Sequence, residues 1–247
     1  MRAHSQSHTR PDLLTAPILP TLKKMTVPMI FGMITLMMFN IVDTFFISLL
    51  GTEPLAAVSF TFPVTFTVIS LAIGLGIGTS AVIAKALGSN NLEEARFDAS
   101  VSLLVAVILV LILSASGYLL IDPIFTLLGA GEQVLPLIHQ YISIWFLGSV
   151  FLITPMIGNS VLRASGDTKT PSIIMGGAGL INAVLDPMLI FGFGPIPALG
   201  IKGAAIASVI AWAVGVAIIF YILIVKKQLL SLKAGKQTVI GAIRKIL

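Results

Sequence analysis

Long apolar runs separated by short clusters of charge set the rhythm of this chain. Between Lys24 and Glu53 there is one charged residue, Asp43; from 54 to 84 there is none. Asp98 and Asp122 bracket another uncharged run, and residues 133–162 and 203–225 are free of Asp, Glu, Lys and Arg. From 171 to 193 the only charge is Asp186. A hydrocarbon layer about 30 Å thick is crossed by about 20 helical residues. The pattern therefore predicts six spanning helices: 25–50, within 54–84, 99–121, within 133–162, 171–193 and 203–225. Helices are expected because each satisfies its own backbone hydrogen bonds in lipid. The second and fourth runs exceed 25 residues, so those helices should tilt or project. The expected fold is all-α, a polytopic six-helix membrane bundle.

Composition agrees. Apolar residues make up 57% of the chain and charged residues 10%, and mean hydropathy is +1.06. A water-soluble domain has too few charges here to cover that much apolar surface. The chain has no cysteine, which excludes disulfides and thiolate metal sites. Net charge is +5, but its placement points to topology rather than nucleic acid. With a cytoplasmic amino terminus, 14 of the 15 Lys and Arg residues fall in inside segments and only Lys202 falls outside. The positive-inside rule then puts both termini in the cytoplasm, with the basic flanks against anionic lipid. Residues 1–24 read as a cytoplasmic tail without a cleavable signal peptide. Residues 25–225 are the membrane lobe, and 226–247 a basic cytoplasmic segment.

The inside loops are short. "KALGSNNLEEAR" (85–96) and "RASGDTKTP" (163–171) each carry Gly followed closely by Asn or Asp, suited to a turn with positive φ. Asn91 is placed to cap the third helix, with Glu93 and Glu94 favourable in its first turn. "IGTSAVIAKALGS" (77–89) faintly echoes "IGNSVLRASGD" (157–167), and "NIVDTFFI" (40–47) echoes "NAVLDPMLI" (182–190). Such echoes occur in transporters built from repeats.

Two acids interrupt the apolar runs. Asp43 and Asp186 each lie about seven residues before the outer end of an outward-running helix, about 10 Å below that surface at 1.5 Å per residue. Equal depth permits a shared cavity. Each has an amide one turn away, Asn40 three residues before Asp43 and Asn182 four before Asp186, spacings that bring side chains together. An amide offers a carbonyl to a cation or protonated acid, and N–H groups to a carboxylate. A charged Asp at the membrane centre costs about 2.5–3.5 kcal/mol. Protonating one of ordinary pKa ~3.9 at pH 7 costs about 4 kcal/mol. The near balance means that a proton or sodium ion can neutralise the acid with little bias. Pro187 frees a carbonyl one turn earlier and can kink its helix, and Pro28 can do the same in the first.

The remaining features read more simply. "GLGIGTS" (74–80) follows no strand, and close packing at Gly74 and Gly78 explains it better than a nucleotide loop. His4 and His8 sit in the tail, and His139 near an outer helix end. Met33, Met37 and Met38 line the first helix, where core or lipid contact is the usual role. Thr35, Asn159 and Ser208 are polar positions within spans, a type that most often bonds to backbone. No nucleophile–base pair or metal-ligand cluster is apparent, so an enzyme is not expected.

Five segments in order carry a resemblance: "VDTFFISLLGTEPLAAVSF" (42–60), "GLGIGTSAVIAKALGSNNLEEA" (74–95), "NSVLRASGDTKTP" (159–171), "INAVLDPMLIFGFG" (181–194) and "ALGIKGAAIASVIAW" (198–212). The chain resembles multidrug and toxic compound extrusion (MATE) transporters over about residues 25–225. The resemblance implies one six-helix lobe, the amino-terminal one, of a twelve-helix antiporter in a prokaryotic inner membrane. It implies export of drugs and organic cations against inward Na+ or H+, with no cofactor beyond that coupling ion. The family's lobe cavity maps onto Asp43, Asn182 and Asp186, with Asn159 and a hydroxyl at Ser208 as further candidates; Asn40 is a candidate cavity residue by its spacing to Asp43. The family's substrate path lies between two lobes, so a second six-helix lobe is the expected partner. Two alternatives remain at this point: a lipid-linked oligosaccharide flippase, disfavoured by two acids and no cation in the spans, and a half-length assembly protein that does not transport.

Overall fold

The computed structural model describes residues 17–231 and 238–246. His4 and His8 and most of the expected tail lie outside them. Among the described residues, six helices are long and apolar enough to cross a membrane. In chain order the long helices are α1 (Ile18–Ser48), α2 (Thr52–Gly88), α3 (Leu92–Leu119), α5 (Leu135–Ala164), α6 (Lys169–Ile190) and α7 (Ile201–Tyr221). A π-helical turn, Ile222–Lys226, prolongs α7. Two shorter helices were not expected from the apolar pattern: α4 (Ile121–Leu127) and α8 (Val239–Ile246). Both are too short to span, and each buries only two side chains, Ile121 and Phe125 in α4, Ala242 and Ile246 in α8. α1 also starts at Ile18, seven residues before the expected boundary: Pro20 falls in the first turn, where its missing N–H costs no helical bond, and nothing from Thr21 to Lys24 breaks a helix.

The long helices alternate in direction, so the bundle has two ends. One, here called the basic face, carries the start of α1, the α2–α3 and α5–α6 turns and α8. The opposite face carries α4 and the α6–α7 loop.

Local chemistry fixes the turns. Asn91 caps α3: its Oδ1 accepts from the Glu94 N–H at 3.2 Å, and its Nδ2 donates to Glu94 Oε2 at 2.8 Å. The left-handed positions are Asn90 (φ 58°) in the first turn and Gly166 (φ 85°) in the second. Asp167 opens α6, accepting from the Thr170 N–H at 3.0 Å and hydroxyl at 2.8 Å. Lys227, just past α7, reaches Asp167 Oδ2 at 2.9 Å and ties the two helices at the basic face. These donors hold the Asp167 carboxyl below its usual range against the opposing effect of burial.

Between apolar helices in lipid, packing depends on close approach rather than on exclusion of water. α5 is the central post, packed by α2, α3 and α7. Gly148 admits Val209 of α7, and Gly158 sits 2.5 Å (as an added Cβ) from Ile219. On the other side Gly76 of α2 receives the Ser160 hydroxyl, and Gly117 of α3 receives the Phe146 ring. The expected role of Gly74 is corrected here: its site is open, and α2 makes its close contacts through Gly76 and Gly78. Gly74 and Gly78 share a face, but α8 covers only its Gly78 end, while Gly76 lies on the face toward α5.

α1 is attached differently. It packs mainly on α6, and of its 31 residues only Gly32, Asp43 and Ile47 are buried. The Ser172 hydroxyl donates to the Pro28 carbonyl at 2.6 Å. Further along, Thr35 and Phe39 lie over Gly176 and Gly179. The same contact stripe leads to Asp43, one helical repeat beyond.

Candidate functional site

Asp43 lies five residues before the end of α1, and Asp186 four before the end of α6. Antiparallel neighbours would place them apart, but α1 and α6 run the same way, so equal distance from the ends means equal depth. The structure brings the two carboxyls close enough to interact directly. Asp186 is 0% exposed and Asp43 9%.

Asn182 joins the acids to α7. Its Nδ2 donates to Asp186 Oδ1 and to Ser208 Oγ, each at 3.2 Å. The i,i+4 spacing within α6 supplies the first contact. The α6–α7 loop supplies the second by setting the register of the two helices. Leu199 and Gly200 donate their N–H groups to the carbonyls of Leu189 and Ile190, at 2.9 and 3.0 Å. Gly200 takes φ 59°, a left-handed turn open to glycine, and Gly203 packs directly on the Leu189 carbonyl.

A fifth side chain was missed by sequence reasoning. Tyr141 of α5 is buried, and its phenol lies close enough to feel the charges of both Asp43 and Asp186. It sits six residues inside the start of α5, where a tyrosine ordinarily reads as an interfacial anchor. The available signal was its depth, matching that of the acids.

Two expected members are elsewhere. Asn40 does not join Asp43: it is exposed, its Nδ2 donates to the Leu36 carbonyl of its own helix at 2.9 Å, and it lines an open groove with Ile41, Thr44, Phe45 and Ser48. An i,i+3 neighbour is turned by about 60°, enough on a helix contacted along one narrow stripe to leave the interface. Asn159 is buried with no partner for its Oδ1, but it lies well toward the basic face. Gly148 of α5 meets Val209, next to Ser208. Asn159 is eleven residues further along, about 16 Å at 1.5 Å per residue.

The cluster is therefore Asp43, Asp186, Asn182, Ser208 and Tyr141, contributed by four helices. Among the described residues, no ion pair joins either acid to Lys, Arg or His. Three buried oxygens have no hydrogen-bond partner: Asp43 Oδ1, Asn182 Oδ1 and Asp186 Oδ2. The donor set consists of oxygens with amide and phenol support, the chemistry suited to a proton or a hard monovalent cation.

A six-helix membrane bundle holding oxygens rather than a nucleophile in its interior has the character of a transporter part. The MatE family model matches residues 28–188, and the chain belongs to that family of transporters. It is 48% identical over 221 residues to a FAD transporter of Shewanella oneidensis, covering 90% of this chain and 49% of the relative. It is 35% identical to a probable multidrug resistance protein of Bacillus subtilis, YoeA, covering 66% and 35%. Its fold matches the bent form of the Vibrio cholerae MATE transporter VcmN with a TM-score of 0.86 at 36% identity, covering 92% of this chain and 51% of that one. The chain thus spans about half the length of the Shewanella relative and of VcmN.

Proposed function

We propose that this chain acts as the amino-terminal, ion-coupling lobe of a MATE-type antiporter, and that Asp43, Asn182, Asp186 and Ser208 seat the coupling ion. The observation that carries the reading is the set of three buried, unpartnered oxygens on Asp43, Asn182 and Asp186. Two carboxyls in contact and out of water cannot both hold charge without a counter-ion. A proton or sodium ion entering the cluster offsets one of the two charges, ends the repulsion between the acids and draws α1 toward α6. When it leaves, repulsion between the acids favours their separation. Because α1 is held chiefly through α6, that repulsion acts on the least anchored helix. In the membrane, the termini lie in the cytoplasm and the ion enters from outside. One charge moving down 100 mV yields about 2.3 kcal/mol. A tenfold ion gradient adds about 1.4 kcal/mol, and together they sustain roughly 500-fold cargo accumulation at one ion per cargo.

The cargo in this reading is an organic cation or another drug, taken up between this lobe and a second six-helix lobe. A flavin dinucleotide is the second reading, favoured by the 48% identity to the protein named a FAD transporter.

The test begins with ion binding, which needs only this lobe. Purified chain is titrated with radiolabelled sodium and, separately, followed for proton release by a pH dye. Asp43→Asn and Asp186→Asn should each abolish the signal while membrane abundance holds. With the second half supplied, both variants should lose ion-driven efflux. Efflux retained in both variants would overturn the reading, as would a lobe that binds neither ion.

A further inference from the structure

Asp98 is the other acid folded into the bundle, and the ion site does not use it. It sits six residues into α3, near the basic face, with its side chain 0% exposed. Neither of its carboxyl oxygens has a hydrogen-bond partner. Its nearest counter-charge comes from outside the six long helices: Lys245 of α8 places Nζ 3.6 Å from Asp98 Oδ2 and 2.7 Å from Glu94 Oε1. The charges acting on Asp98 are Lys245 from α8 and Glu94 one turn earlier on its own helix.

The rest of the α8 contact is small. α8 rests against α2 and α3, burying Ala242 and Ile246, with the Ile246 carbonyl against Gly78 of α2. Val239 and Ile240 remain exposed. Eight residues with two buried side chains make a weak anchor by themselves. The pairs that Lys245 makes with Glu94 and Asp98 are therefore a large share of what holds this helix. If Lys245 withdraws, an ionised Asp98 stays buried without a counter-charge, a strongly unfavourable state. A proton taken from the aqueous basic face removes that difficulty. Glu94 is partly exposed and hydrogen-bonded to Asn91, so it can keep its charge in water.

We propose that α8 is a strap latched by charge: ionised Asp98 grips Lys245 and holds α8 on the α2–α3 hairpin, and protonation of Asp98 lets α8 leave. Release consumes one proton per strap. The ratio of docked to released forms then changes by up to about tenfold per pH unit across the titration. The segment that follows the lobe thereby responds to pH at the basic face, remote from the ion cluster.

The chain has no cysteine, so Ile240→Cys and Leu104→Cys, both at exposed sites, give a single spin-labelled pair in the full chain. Electron–electron distance distributions are recorded in nanodiscs at about pH 8 and about pH 5, bracketing the titration of a buried carboxyl. The expected result is one narrow distance at the higher pH and a growing broad population at the lower. Asp98→Asn should give the broad population at both. Lys245→Gln, which leaves the lobe untouched, should release α8 at the higher pH and flatten the response. Glu94→Gln should leave the pH response in place. A narrow distance that ignores pH in the native chain overturns the proposal, and so does a native pH profile in Asp98→Asn. If Asp98→Asn fails to fold, Lys245→Gln decides: a distance unchanged from the native chain overturns it.

Discussion

Asp98 and the Asp43–Asp186 pair are all carboxyls folded among apolar helices, yet only Asp98 has a lysine at hand. At the basic face the protein brings its own counter-charge, on α8, to within 3.6 Å. Toward the opposite face the described residues bring amide, hydroxyl and phenol groups, and no cation pairs with either acid. The comparison separates two uses of a buried acid. A resident lysine makes a lock, whose loss loosens the structure. Neutral oxygen and amide neighbours leave neutralisation to something mobile, so on the proposed reading loss of the acid should disarm function and spare the fold.

The largest expected effect follows from that contrast. Asp186→Asn should weaken ion binding by at least about 100-fold, roughly 2.7 kcal/mol, measured by sodium titration or proton release. Its thermal midpoint should hold or rise, since a buried acid becomes an amide of the same shape. A drop in midpoint equal to that of Asp98→Asn would erase the distinction between the two sites.

Next in size is the lock. Lys245→Met should lower stability by about 1–2 kcal/mol in denaturant titration. That is less than the 3–5 kcal/mol typical of a broken, fully buried pair, because the Lys245 side chain is 42% exposed. The carboxylates beside it raise the Lys245 ammonium above its usual range. While its partner acids are ionised, its contribution is thus complete below the ordinary lysine range, and it fades as pH climbs through the raised folded value.

A smaller, oppositely signed effect belongs to the α6 cap. Asp167 is held below its ordinary range by Lys227 and Thr170, so its contribution is present above the unfolded carboxyl value and disappears as pH falls through the lower, folded one. Asp167→Ala should cost about 1 kcal/mol at neutral pH and nothing in strong acid, read as converging unfolding curves. Ser208→Ala should reduce ion affinity about fivefold, the equivalent of about 1 kcal/mol for one hydrogen bond. Asn40→Ala should leave ion affinity unchanged, because its amide is spent on its own helix.

Much of this arrangement was legible in the chain. Uninterrupted apolar runs exposed the six spans, and charges inside them exposed Asp43 and Asp186, because a carboxylate in lipid is costly enough to stand out. Asn182 followed from spacing on one helix. Tyr141 was hidden because its place in the cluster depends on how α5 is rotated against α1 and α6, and no single-helix period records that. Asn40 misled for the mirror-image reason: spacing says which residues are neighbours, but not which of two adjacent stripes meets another helix. α4 and α8 escaped because a helix of seven or eight residues carries little periodic signal. The pairing of Lys245 with Asp98 spans 147 positions, and such contacts are written only in the folded chain.

The length of α2 has a practical corollary. Its 37 residues measure about 55 Å along the axis, and even a 40° tilt leaves about 42 Å to fit a hydrocarbon layer near 30 Å. The tight Leu49–Gly51 connection limits any excess where α2 begins, so the surplus emerges at its Gly88 end. The α2–α3 corner, with Asn90 and Glu93 at its tip, then stands out of the hydrocarbon as a small turret at the level of the headgroups. A membrane-impermeant reagent or an antibody fragment can reach it from one compartment alone, and which compartment that is reports the sidedness of the whole chain.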